Sequence, residues 1–197
     1  MNHTRTSQLK TLLIAVALTL SLSSCAPDAP AQAHQMDWMP PAFDVALDET
    51  NRFRYPEDLQ SPVIVLFWAT WCPYCKALMP HLQSILDEYP GELELLAINF
   101  REDGDPAAVL ESRGYQFMLI PEADDVAKAW GVKGTPGLYL ADETGRIVFS
   151  RFAIPETEFS ERALSSGKKL SNSQKASRMA PFWAARLRTE IDLLLSK

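Results

Sequence analysis

Cysteine is scarce in this chain, with three in 197 residues. That is too few for a disulfide-stapled fold, so the core must come from apolar burial. A hydrophobic content of 47% is enough for one ordinary globular core. Histidine is as sparse, and His34 stands alone in a polar stretch, which is not a metal site. The N-terminal apolar run, residues 12–22 (LLIAVALTLSL), has eleven residues where a membrane-crossing helix needs about twenty. There is no basic excess: 19 Lys+Arg against 25 Asp+Glu give a formal charge of −6, which argues against a nucleic-acid partner. Charged residues at 22% exclude wholesale disorder, and no internal repeat is visible.

Arg5 and Lys10 precede the short apolar run, the form of a secretory signal. The run ends in Leu22-Ser23-Ser24-Cys25, which resembles the bacterial lipobox, whose Cys receives lipid. Residues 1–24 are therefore expected to be a lipoprotein signal peptide and Cys25 the lipidation site; the alternative is a plain secretory signal with Cys25 incidental. Ala26 after that Cys, rather than Asp, resembles the pattern that favours the outer membrane. Residues 25–37, polar and rich in Pro and Ala, read as a tether, and residues 38–197 as the folded domain. The expected location is the bacterial cell envelope, with the domain in the periplasm or on the outer face of the membrane. Once Cys25 is set aside, one pair remains, Cys72 and Cys75.

That pair ends the most informative stretch, residues 63–80 (VIVLFWATWCPYCKALMP). An apolar, β-branched run without alternation reads as a strand covered on both faces, and a helical pattern follows the cysteines. Cys72 then falls at a helix N-terminus, where free N–H groups and the helix dipole favour a thiolate. Cys75, one turn later, lies on the same face and can close a disulfide. Pro73 sits in the first turn, where its missing N–H costs little.

Elsewhere, Phe43, Val45 and Leu47 alternate as in a short strand, and residues 50–60 read as a polar connection. Residues 93–100 read as a second buried strand, 105–112 as a helix opened by Pro106, 116–120 as extended, and 124–130 as a short helix closed by Gly131. Residues 138–140 and 146–152, joined by the turn Asp142-Glu143-Thr144-Gly145, read as an antiparallel hairpin. Residues 180–195 carry Trp183, Leu187, Ile191 and Leu194 on one helical stripe. Residues 155–179, Ser-rich and changing from acidic to basic, read as a polar insertion, either a solvated surface segment or a lid that docks a partner. The sum is an α/β layer fold with a mixed central sheet flanked by helices.

Trp68-Ala69-Thr70-Trp71-Cys72-Pro73-Tyr74-Cys75, followed by Pro80, resembles the active-site signature of the thioredoxin superfamily. The likeness is greatest to the exported, membrane-tethered TlpA/ResA-like thiol–disulfide oxidoreductases. Gly131-Val132-Lys133-Gly134-Thr135-Pro136 resembles that family's cis-proline segment, and the turn at 142–147 its strand connection. The resemblance implies a thioredoxin-like fold, with Cys72 as nucleophile and Cys75 as buried resolving thiol. It also implies a cis Thr135-Pro136 wall against which a substrate segment pairs. Trp71, Pro73 and Tyr74 would border the substrate, with Trp68 in the core. Partners would be protein thiols or disulfides of the exported compartment, with a separate redox partner for regeneration and no cofactor.

The sequence departs from that pattern at two points. Thioredoxin has a buried Asp where this chain has Leu66, and many ResA-like proteins have a Glu where it has Leu78. Lys76 reads either as a charge beside the thiolate or as an exposed helix residue. His81 reads as a surface helix residue rather than a base, and Glu102 and Asp103 as a solvated loop, the alternative being that they approach the site. The leading expectation is an enzyme that acts as a reductant. The alternatives are a Cu(I)-binding metallochaperone using the two thiols, and an assembly factor without turnover.

Overall fold

The computed structural model describes residues 36–155, 158 and 169–196. The signal segment, Cys25, most of the tether and the middle of segment 155–179 lie outside the described residues. Among the described residues no helix is long and apolar enough to cross a membrane.

The elements run β1 (Phe43–Ala46), β2 (Arg52–Tyr55), β3 (Val63–Trp68), α1 (Pro73–Glu88), β4 (Glu94–Asn99), α2 (Pro106–Arg113), β5 (Met118–Ile120), α3 (Asp124–Ala129), β6 (Gly137–Ala141), β7 (Ile147–Ser150), a 3-10 turn (Arg151–Ala153) and α4 (Asn172–Leu195). Five strands form one sheet in the order β5-β4-β3-β6-β7. β4 pairs parallel with β3 and β5, whereas β6 pairs antiparallel with β3 and β7. This is the mixed sheet expected of a thioredoxin-like fold.

β3 is central, and all six of its residues are fully buried. Successive side chains of a strand point to opposite faces, so this one run feeds two cores. Ile64, Leu66 and Trp68 join Leu78, Leu82 and Ile85 of α1 and Trp183, Leu187 and Ile191 of α4. Val63, Val65 and Phe67 join Phe53 and Tyr55 of β2 and Val126 and Trp130 at α3. α1 and α4 pack together, and Arg188 Nε meets Glu88 Oε2 at 2.6 Å across that seam.

Three expectations change. The connection over residues 50–60 contains β2, whose Phe53 and Tyr55 turn inward while Arg52 and Arg54 stay out. β2 pairs with β1, and the Tyr55 hydroxyl donates to the Gly145 carbonyl at 2.5 Å. Gly145 has φ 82°, and a Cβ there would lie 2.4 Å from Pro56 Cβ, so the turn needs glycine for conformation and space. The C-terminal helix begins at Asn172, so the last eight residues of the segment read as an insertion are helical. Ser171 and Gln174 form a capping box that starts it there. Lastly, the end of the tether is already docked, because Met36 N donates to Val148 O at 3.2 Å and Asp37 pairs with Arg146.

Candidate active site

β3 ends at Trp68, and from the C-terminal end of this central strand Ala69–Trp71 lead into α1. Cys72 is the N-cap of α1, extended at ψ 111°, and its Sγ accepts from Cys75 N at 3.2 Å. Pro73 occupies the first turn. A thiolate in this place receives the helix N–H groups that would otherwise lack partners. Both thiols are free. Cys72, expected to be the more exposed, is itself buried at 2%, with Cys75 at 0%.

Electrostatics, more than exposure, separates the two cysteines. The Cys72 thiol is lowered to about 6, chiefly because Cys75 donates a hydrogen bond to its sulfur. Burial opposes that shift, whereas the Thr135 side chain and the N–H groups of Cys75 and Tyr74 reinforce it. Burial pushes the Cys75 thiol well above its ordinary value, and the hydrogen bond and negative charge at Cys72 add to the shift. The pair is thus tuned toward a thiolate on Cys72 and a thiol on Cys75 that donates to it.

Thr135-Pro136 is cis, Pro136 is buried, and the Thr135 side chain favours the charged form of both cysteines. Trp71 is 48% exposed and donates from Nε1 to Arg101 O at 2.7 Å, which fixes it as a rim residue. Tyr74 is half-buried, with its ring 6.1 Å from that of Trp183 on α4. Trp68 lies in the core, fully buried. Leu66 and Leu78 share one apolar cluster with both cysteines, so no carboxylate stands at either position. Lys76 is exposed on α1, and His81 lies half-buried further along the helix. Among the described residues no group of three or more His, Cys, Asp or Glu is placed to hold a metal ion.

The structure corrects the reading of Glu102 as part of a solvated loop. Its Oε2 accepts from Thr70 N at 2.8 Å and Asn99 Nδ2 at 2.6 Å. Its Oε1 accepts from Thr70 Oγ1 at 2.5 Å and from the N–H groups of Asp103 and Gly104, each at 2.9 Å. Desolvation opposes the charge, yet these donors outweigh it and hold the carboxyl down at about 2. A Cβ on Gly104 would lie 2.6 Å from Thr70 Oγ1, so only glycine lets the loop close on Thr70. Glu102 is thus the brace of the loop that carries Trp71 and Cys72.

A second residue was invisible in the sequence. Arg151, just past β7, donates from Nε to Pro136 O at 2.9 Å. Its Cζ lies 4.3 Å from the centre of the Phe152 ring and 4.8 Å from that of Trp183. Apart from the adjacent Phe152, nothing around residue 151 signals this, because Pro136, just before β6, and Trp183 on α4 are distant in the chain.

Thiolate, resolving thiol and cis-proline wall together suit nucleophilic attack on a disulfide sulfur. The thioredoxin family profile matches residues 46–134. Thioredoxin of Staphylococcus haemolyticus is 34% identical over 77 residues, which cover 39% of this chain and 74% of that protein. The thiol-disulfide oxidoreductase ResA of Geobacillus thermodenitrificans is 31% identical over 113 residues, 54% of this chain and 63% of that one. Among solved structures, the thioredoxin domain of a thiol-disulfide oxidoreductase from Bacteroides vulgatus superposes with a TM-score of 0.51. At 21% identity, over 58% of this chain and 86% of that one, it speaks to the fold alone. The chain spans 52%, 63% and 58% of three of the curated relatives it matches. Most of the length of a bacterial thioredoxin is thus matched at about a third identity, around a strand-to-helix cysteine pair, and this chain belongs to the thioredoxin superfamily, similar to its ResA-like members.

Proposed function

We propose that this protein reduces disulfides of exported protein partners through Cys72 and Cys75. The observation that carries the reading is the opposite tuning of two neighbouring thiols beside a cis-proline. The Cys72 thiolate attacks one sulfur of the substrate disulfide, forms a mixed disulfide and releases the other sulfur as a thiolate. Cys75 then attacks Cys72 Sγ, the mixed disulfide breaks, and the second substrate sulfur departs. Two electrons pass to the substrate, and the proton of Cys75 goes to the departing thiolate.

The raised Cys75 thiol supports a reductant, because a reluctant thiolate favours the closed disulfide. The lowered Cys72 thiol acts in the other direction, so the midpoint potential decides. A value near about −270 mV fits a reductant, and one near about −120 mV would make the protein a disulfide donor instead. A separate redox partner returns the pair to the dithiol. Lipid on Cys25 holds the domain at the cell envelope. Mass spectrometry of the mature N-terminus tests that part, and an unmodified soluble form would refute it.

Trapping tests the central reading. With Cys75→Ser, natural partners should accumulate as mixed disulfides on Cys72 in the exported compartment. If none accumulates, and the reduced protein instead binds Cu(I) tightly without exchanging disulfides, the oxidoreductase reading fails.

A further inference from the structure

The two apolar positions beside the cysteines raise the question of what charge, if any, faces the thiolate. The answer begins at the end of β7. The Ser150 hydroxyl accepts from Phe152 N at 3.2 Å and so caps the 3-10 turn, Arg151–Ala153. That turn carries the partly buried Arg151 side chain against the active-site wall. Its Nε is bound to the carbonyl of the cis-proline, one residue from Thr135. Its guanidinium rests between two aromatic rings. One of them, Trp183, also packs on Tyr74 between the two cysteines.

A guanidinium removed from water calls for an anion or a π face. Among the described residues no carboxylate forms an ion pair with Arg151. The titratable groups that act on it are Tyr139 on β6 and the two cysteines. Of the other charged residues on the helices of this layer, Lys76 on α1 is exposed, and Arg178, Arg186 and Glu190 lie on α4. Burial lowers the Arg151 pKa from its ordinary value, but an arginine stays protonated throughout the working range.

We propose that Arg151 is a positioning residue whose guanidinium, fixed on the Pro136 carbonyl and between Phe152 and Trp183, acts as the counter-charge of the Cys72 thiolate. The proposal rests on the disulfide-exchange reading and deepens it. In the dithiol form the cation faces an anion; in the disulfide form it does not. Arg151 therefore stabilises the reduced state and makes the pair less reducing than the same site without it. A cation thus faces this pair, while Leu66 and Leu78 supply only apolar contact to it.

The test uses thiolate absorbance against pH and the exchange equilibrium with glutathione, both of which can be read whether or not protein partners are ever reduced. Arg151→Met should raise the apparent Cys72 pKa by about one unit. It should also shift the equilibrium about tenfold toward the disulfide, some 30 mV in midpoint potential. Arg151→Lys keeps the charge and should restore most of both. If Arg151→Met folds with both readouts unchanged, or if Arg151→Lys behaves like Arg151→Met, the proposal is overturned. Should Arg151→Met not fold, the wild-type protein still answers. The Arg151 Nε–H resonance should titrate with the same midpoint as the Cys72 thiolate, and a signal that stays still through that titration overturns the proposal.

Discussion

Glu102 and Arg151 are charged groups built into the neighbourhood of the cysteines, and they are held in different ways. Glu102 follows β4 on one side of the central strand; Arg151 follows β7, reached through β6 on the other. The carboxylate receives five hydrogen bonds from Thr70, Asn99, Asp103 and Gly104. All its capacity is spent on backbone and side chains that shape the loop, so its charge is used within the wall. The guanidinium donates from Nε to Pro136 O and rests against two aromatic faces. Its charge is left for the pair. One group determines where the loop sits, the other how the sulfur behaves.

The largest effect that would break this comparison concerns Glu102. Glu102→Ala leaves the N–H and hydroxyl of Thr70 and the Asn99 amide without their acceptor, and should cost about 2–3 kcal/mol. Thermal and denaturant unfolding measure it, and a loss below about 0.5 kcal/mol would return Glu102 to the status of a surface acid. A smaller effect is its pH dependence. The folded-state pKa of Glu102 lies below the ordinary 4.5, at about 2. The stabilisation is therefore complete above about pH 4.5 and fades as pH falls toward 2. Glu102→Gln should flatten that part of the acid-unfolding profile, and an unchanged slope would contradict the brace. The smallest effect sharpens the other side. Lys76 is on the same helix as the pair but exposed, so solvent screens it. Lys76→Met should leave the glutathione equilibrium within about twofold of wild type. A shift as large as that of Arg151→Met would make the electropositive influence general and not specific to Arg151.

The strongest local patterns were read correctly. Residues 63–68 carry no polar interruption, so their burial on both faces followed from composition alone, and Cys72 at a helix start followed from the change of pattern after them. β2 had a local signal too, Phe53 and Tyr55 alternating with arginines. The surrounding polar residues hid it. The early start of α4 was written in Ser171 and Gln174, a capping box inside a segment whose composition suggested a loop. Glu102 gave less warning, since an acid after a strand usually faces water. Its donors gather only because β4 lies beside β3 and brings Asn99 next to Trp68.

The sequence by itself determined the layered fold and the place of Cys72 at a helix start with Cys75 one turn later, while the cis bond at Thr135-Pro136 followed from the family resemblance. The first two rest on residues adjacent in the chain or on a periodicity that any strand or helix must express. Only the tertiary structure decided which charges meet the sulfur. Arg151 is brought to Pro136 by the β6–β7 hairpin and to Trp183 by the return of α4. Such a contact depends on how three elements pack, and no spacing along the chain encodes it.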